Sequence, residues 1–429
     1  MNAAQEDPMR PNIIYLNSHD TGRWIQPYGH PVPTPHLQGL AEEGVLFRQA
    51  FSAAPTCSPS RAALTTGLTP HEAGMTGLSH RGFSLRDPHQ HLSHVLRGAG
   101  YLTALAGLQH VSRDPEAELG YDERFSPEGH GAEEASRAAA EFLLREHDRP
   151  FYLEIGTFET HRPFPVPSAQ DDPRYLRPPG PVPDASQTRE DMAGYLASVR
   201  RFDEGVGRVL EALEASGRAQ DTLVVATTDH GLAFPGMKCT LSDDGTGVML
   251  LMRGPGGFRG GAVCEALVSQ LDLYPTLCEL AGITAGEGLR GRSLLPLMDG
   301  RVDRLHDEVF AELSYHVDYE PQRSIRTDRH RYVRTFRDLD RRLLAHTDDG
   351  PSKRYMAERG WGERAPDEEM LHDLLVDPDG RENRIDDTAL ADVAADLRGR
   401  LEAWMRETED PLLDGPVPAP PGADVLGAP

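Results

Sequence analysis

The residues of this chain best placed to do chemistry are Cys57-Ser58-Pro59-Ser60-Arg61. They sit where a polar loop gives way to a helical pattern running through Ala62, Ala63 and Leu64 to Gly67. Pro59 is tolerated in a first helical turn, where its missing N–H goes unused. Cys57 and Ser58 then lie at the positive end of the helix dipole, with the Arg61 guanidinium one turn on. That placement predicts stabilisation of a thiolate, or of any oxyanion formed at position 57. A buried structural cysteine ahead of a helix fits the same local pattern. Two acidic–imidazole pairs, His19-Asp20 and Asp229-His230, add a second chemistry, because clustered oxygen and imidazole donors hold divalent cations. His110 and His161 offer proton transfer and anion contact, and Lys238 an ammonium for an anion. Each of these taken singly also fits a helix cap or an ordinary surface group.

What must position them is a set of short apolar runs. Residues 12–16, 103–107, 151–157 and 222–228 read as strands buried on both faces. Helical patterns over 91–97, 133–145 and 191–216 lie between them, which predicts an α/β fold with a mainly parallel sheet covered on both sides. Ligands of such sheets bind beyond the carboxyl ends of the strands. There the sequence places His19-Asp20, Gln109-His110, Glu159-Thr160-His161 and Asp229-His230. The proline-rich stretch 163–183 predicts a long surface loop. Past residue 302 the pattern changes to short strands over 308–313, 323–326 and 331–335 and a helix over 389–406. The expected organisation is a catalytic domain over 1–302, a smaller α+β domain over 303–414, and a disordered Pro/Gly/Ala-rich tail over 415–429.

Composition narrows the class. A formal net charge of −24 opposes nucleic acid and anionic membranes as partners, and means that an anionic substrate needs a locally positive pocket. Four cysteines, at 57, 239, 264 and 278, show neither CxxC spacing nor a disulfide framework. Of 44 Lys plus Arg only Lys238 and Lys353 are lysine, a mild pointer to Lys238 as a required point charge. No apolar run approaches the roughly 20 residues of a membrane span. The polar start, MNAAQEDPMRPN, lacks a secretory profile, so the expected compartment is the cytoplasm.

Cys-x-Pro-Ser-Arg at 57–61 resembles the signature of the sulfatase family. Residues 12–22, 57–67, 107–110, 228–231, 268–277 and 291–297 look like that family's successive blocks in order. The similarity is closest to its sulfamidase-like members, and extends through 57–78, 149–161, 231–238 and Trp404 to Pro411 (WMRETEDP). The resemblance implies an alkaline-phosphatase-like α/β fold and a sulfuric ester hydrolase. In such an enzyme a formylglycine-generating enzyme converts Cys57 to formylglycine, whose hydrated aldehyde is the nucleophile. By the same resemblance Arg61 supports residue 57, and Asp20 and Asp229 bind one divalent metal ion. His110 handles the proton on the formylglycine hydroxyl, and His161 and Lys238 hold the sulfate oxygens.

Three positions depart from the family pattern: His19 and His230 stand where calcium-binding members have Asp and Asn, and Leu108 where a lysine is usual. Imidazole in place of oxygen donors shifts the expected preference from calcium towards manganese, zinc or iron. The metal set is then Asp20, Asp229, His230 and residue 57, with His19 in a lesser role. The Asp-His pair at 229–230 also resembles formylglycine phosphonate monoester and phosphodiester hydrolases. An unmodified, non-catalytic protein that binds sulfated ligands is the alternative of another class. A chain of charge −24 repels a long polyanion at long range, whereas a short sulfated sugar need only satisfy the local field near Arg61, Lys238 and His161; Tyr315 and His316 are candidate sugar contacts.

Overall fold

A computed structural model describes residues 10–113, 119–125, 129 and 131–427. The eight strands of its large sheet are β1 (Asn12–Ser18), β2 (Val45–Phe51), β3 (Leu102–Gly107), β4 (Glu123–Phe125), β5 (Phe151–Gly156), β6 (Thr222–Thr228), β7 (Leu250–Arg253) and β8 (Ala262–Ser269). Their order is β4-β3-β5-β1-β6-β7-β2-β8, with β7 antiparallel to both neighbours and every other pairing parallel. β1 lies at the centre and is apolar on both faces for that reason. Ile13 and Tyr15 join one core layer with Leu223 and Val225, while Ile14 and Leu16 join the other with Val224 and Ala226. Helices Ala132–Leu143 and Ser186–Ala215 cover the second layer through Phe142, Met192, Tyr195 and Val199. Helices Cys57–Thr66, Leu92–Gly98 and Leu273–Leu280 cover the first.

Register brings the chemistry together. Asn17 pairs with Gly156, Gly156 with Gly107, and Ser18 with Thr228, so the four strands end side by side. The residues just beyond those ends form one rim. Two glycines allow the approach beneath it: a Cβ at Gly107 would collide with the Gly156 carbonyl, and one at Gly156 with the Leu108 carbonyl.

A second, antiparallel sheet begins at Glu308. It runs β12-β11-β10-β9, made of β9 (Glu308–Tyr315), β10 (Tyr319–Thr327), β11 (His330–Thr335) and β12 (Glu369–Asp373). With helix Ala391–Glu407 it forms the smaller C-terminal domain, whose Tyr315, Tyr332, Leu371, Leu401 and Met405 extend the first core layer. No described helix is long and apolar enough to cross a membrane.

Two expectations are corrected here. The tail from Gly415 is laid onto the molecule: Val417 is buried, its N–H donates to the Tyr319 hydroxyl and its carbonyl accepts from the Tyr315 hydroxyl. Further on, Asp424 N–H donates to Arg81 O and Leu426 N–H to Val317 O. A proline-rich strap has few backbone donors to satisfy, and these contacts satisfy those of Val417, Asp424 and Leu426; residues 428 and 429 lie outside the described set. Tyr315 is likewise unavailable to a sugar. It is fully buried against Phe83 and Tyr319, with its hydroxyl spent on Val417.

Arg323 and Asp410 form a wholly buried bidentate pair linking β10 to the segment after the last helix. Removing one partner strands the other's charge, so Arg323→Met is expected to destabilise the protein by about 3–5 kcal/mol, read from urea unfolding.

Candidate active site

Cys57 is the first residue of a helix buried along its whole length, and no side chain caps that helix end. Its Sγ lies 3.3 Å from His230 Nε2 and 3.9 Å from Asp20 Oδ1. The expected thiolate is not what this setting favours. Burial pushes the Cys57 thiol well up and Asp229 and Asp20 add to it, against Lys238 and Arg61. With its thiol so raised, Cys57 as a cysteine is a poor nucleophile.

The rim beyond β1 and β6 is knitted by its own backbone. Asp229 Oδ1 accepts from the N–H groups of Asp20, at 2.9 Å, and His230, at 3.0 Å. Its Oδ2 stands 3.2 Å from Arg61 Nε and 3.1 Å from His19 Nδ1. Ser60 Oγ donates to Asp229 O, and Gln270 Nε2 to Thr228 O, which fixes the loop from below. Burial alone would raise the Asp229 carboxyl; His230, His19 and Arg61 outweigh it and hold it well below the usual range. Asp20 behaves alike: burial is overcome by Lys238, His161 and His230. Both acids are therefore anionic.

Imidazoles and one ammonium complete the wall. Lys238 Nζ donates to Asp20 Oδ2 at 3.0 Å and lies 3.3 Å from His161 Nε2 and 2.9 Å from Asp348 Oδ2. Burial would lower Lys238, but the two carboxylates raise it well above its ordinary value, so it stays charged. Burial, reinforced by His19, Arg61 and His80, pushes His110 well below the imidazole range, leaving it neutral and able to take a proton. His80 stacks on His110 with Nδ1 to Nε2 at 3.2 Å, and is itself partly exposed.

The donors fit a divalent cation. Ligand atoms of His19, Asp20, Cys57 and Asp229 all lie within 4.8 Å of one another and all four residues are buried. His230 Nδ1 is 3.0 Å from Gly231 O, so in the neutral ring Nδ1 donates there and the Nε2 lone pair faces Asp20 Oδ1 at 3.1 Å. Two lone-pair donors that close, flanked by a second carboxylate, suit a shared cation. His19 Nε2 and Arg61 Nη1 are buried with no hydrogen-bond partner among the described residues.

The structure thus gathers Cys57, Arg61, Asp20, Asp229, His230, His19, His110, His161 and Lys238 at one place. It puts His316 behind Lys238, buried and close to His346. Asp348 and His80 are additions. Asp348 lies in Asp348-Asp349-Gly350, which reads locally as a surface turn, and only the tertiary fold brings it to Lys238.

Asp348 also sets a pH dependence. Burial would raise its carboxyl, but Lys238, His161 and His316 hold it far below the usual range. A depressed folded value means that the pair's stabilisation is fully present above the ordinary carboxyl range, about pH 4 and higher, and is lost as pH falls through the folded value. Asp348→Asn is expected to be less stable than the parent at neutral pH and to lose less stability on acidification. Urea midpoints between about pH 6 and pH 3 read the difference.

With this geometry in view, comparisons with known proteins give a coherent answer. The sulfatase family model matches residues 11–283, and the model for the C-terminal region of N-sulphoglucosamine sulphohydrolase matches 237–357. The chain belongs to the sulfatase family and is a sulfuric ester hydrolase. It is 32% identical to human N-sulphoglucosamine sulphohydrolase, over 94% of this chain and 92% of that protein. A solved structure of a protein in complex with its substrate, D-glucosamine-2-N,6-O-disulfate, superposes with TM-score 0.75 at 19% identity, covering 94% of this chain and 98% of the other. The phosphonate monoester hydrolase of Agrobacterium radiobacter shares the fold with TM-score 0.69 at 22% identity, covering 96% and 98%.

Proposed function

We propose that this protein is a metal-dependent hydrolase that removes sulfate from an ester or sulfamate of a small sulfated sugar, with residue 57 acting as formylglycine. The observation that carries the reading is the position of Cys57: first residue of a buried helix, with Sγ 3.3 Å from His230 Nε2 and 3.9 Å from Asp20 Oδ1. Likeness to human N-sulphoglucosamine sulphohydrolase along nearly the whole chain supports the substrate class.

Asp20, Asp229, His230 and His19 would hold the cation, which supplies polarisation of the residue-57 hydroxyl and of a sulfuryl oxygen. The imidazole share of that set favours manganese or zinc over calcium. One hydroxyl of hydrated formylglycine-57 would release its proton to solvent and its oxygen attack sulfur, forming an O–S bond as the bond from sulfur to the sugar oxygen or nitrogen breaks. His161, beside Lys238 and partly open to solvent, protonates the departing group. His110 then takes the proton of the remaining hydroxyl; the aldehyde C=O re-forms and its C–O bond to sulfate breaks, releasing sulfate. Arg61 and Lys238 oppose the charge that builds on the sulfuryl oxygens. Maturation requires a formylglycine-generating enzyme as partner.

The test is a substrate panel on matured, metal-loaded protein. Glucosamine N-sulfate, its 6-O-sulfated form and small aryl sulfates are expected to exceed a heparan-like chain in kcat/KM. Activity confined to aryl phosphonates and phosphodiesters would instead favour the second reading, which the Asp229-His230 pair supports. Equal kcat/KM on the long chain would overturn the preference for small substrates.

A further inference from the structure

Cys239 follows Lys238 directly and takes no part in the site above. Its backbone is in the left-handed region at φ 62°, which a residue with a Cβ seldom adopts, and its N–H is tied to Pro55 O at 3.0 Å. The side chain is buried, and its Sγ lies within 4.8 Å of ligand nitrogens of His316 and His346, both also buried. His316 follows the end of β9, and His346 closes a short helical turn, Leu344–His346. His316 Nδ1 and both nitrogens of His346 are enclosed with no hydrogen-bond partner among the described residues. Glu320 Oε2, from β10, stands 3.2 Å from His346 Nε2 but off the hydrogen-bonding direction. Enclosed polar atoms without partners are costly, and three on two adjoining rings need an explanation.

We propose that Cys239, His316 and His346 form a second metal site, for zinc, with Glu320 as the neighbouring carboxylate. One thiolate and two imidazoles are a borderline-soft set, unlike the carboxylate-rich set around Asp20. Tetrahedral zinc needs donors roughly 3.5 Å apart, and these three lie within 4.8 Å of one another. Burial pushes His346 down to about 4 and His316 well below the imidazole range, so both rings present lone pairs. Burial also pushes the Cys239 thiol well up. Binding therefore transfers its proton to water and forms an S–Zn bond, the cation offsetting the new thiolate charge. A cavity of about 360 Å³ lined by Lys238, Cys239, Glu320, Arg342 and His346 gives access.

The ion would join the catalytic domain, through Cys239, to the C-terminal domain, through the two histidines. Asp348, two residues beyond His346, pairs with Lys238 at 2.9 Å. A metal on His346 thus holds the loop that orients the catalytic ammonium. This assignment does not depend on the substrate or on formylglycine.

Cobalt titration of the metal-stripped full chain tests it, in a Cys57→Ala background so that residue 57 contributes no sulfur. A thiolate-to-cobalt charge-transfer band is expected, which reports this site alone because the site around Asp20 then holds no sulfur, and which zinc bleaches. Adding Cys239→Ser should abolish the band, and adding His346→Gln should weaken cobalt binding at least tenfold. Zinc should raise the Tm of the Cys57→Ala protein by more than it raises that of its Cys239→Ser derivative, which keeps only the site around Asp20. The parent measurement decides even where a derivative folds poorly. Absence of the sulfur band in Cys57→Ala protein overturns the site, as does a band unchanged by Cys239→Ser or binding unchanged by His346→Gln.

Discussion

Cys57→Ala is expected to lower kcat by roughly 10⁴-fold or more while leaving the fold intact. A residue that forms the covalent intermediate has no substitute, and what remains is binding and electrostatics alone. Stability should change little by comparison. The Cys57 side chain has no strong hydrogen bond to lose, its nearest partners being His230 Nε2 at 3.3 Å and Asp20 Oδ1 at 3.9 Å. Turnover assays on a small aryl sulfate, with near-UV circular dichroism as the folding check, read both outcomes. Retention of more than a hundredth of the parental kcat would remove residue 57 from the reaction.

The second large effect belongs to Asp229→Asn. Asparagine keeps the shape and can still accept from the N–H groups of Asp20 and His230. It removes the charge that faces Arg61 at 3.2 Å and His19 at 3.1 Å. The variant should carry one divalent ion fewer per chain than the parent and lose at least ~10³-fold in kcat/KM. Arg61 would be left as a buried cation without its partner, so a stability loss of about 3 kcal/mol should accompany the loss of activity. Elemental analysis separates the two contributions: a variant that keeps its full metal content and its rate contradicts the assignment of Asp229.

How far these residues were legible in the sequence depended on how local their signal was. β6 and the central part of β1 stand out as unbroken apolar runs because they are buried on both faces, and their polar caps mark the site directly. β8 is harder to read. Its first five residues, Ala262 to Ala266, are exposed or half-exposed although four of them are apolar, and Glu265 interrupts the run. β7 has only four residues and runs antiparallel inside a parallel sheet, against the expectation set by alternating helices. Cys57, Asp20 and Asp229 were readable because each sits at the junction of two elements. Asp348 and His346 were not, since they lie in the long connection between β11 and β12 and meet Lys238 and Cys239 only by packing. Tyr315 was misread as a sugar contact although period-two alternation with Ala311 and Leu313 already placed it on the buried face of β9. The tail was misread on composition. Proline and glycine content says how much entropy a segment has to lose, but not that two tyrosine hydroxyls await its backbone.

The claim on which the catalytic account turns is the chemical state of residue 57 in active protein. Peptide mass spectrometry of protein co-expressed with a formylglycine-generating enzyme tests it directly, with specific activity measured on the same sample. The account predicts the aldehyde or its hydrate at position 57, in a fraction that rises in proportion to activity. Full activity in a sample whose residue 57 is entirely the unmodified thiol would contradict it.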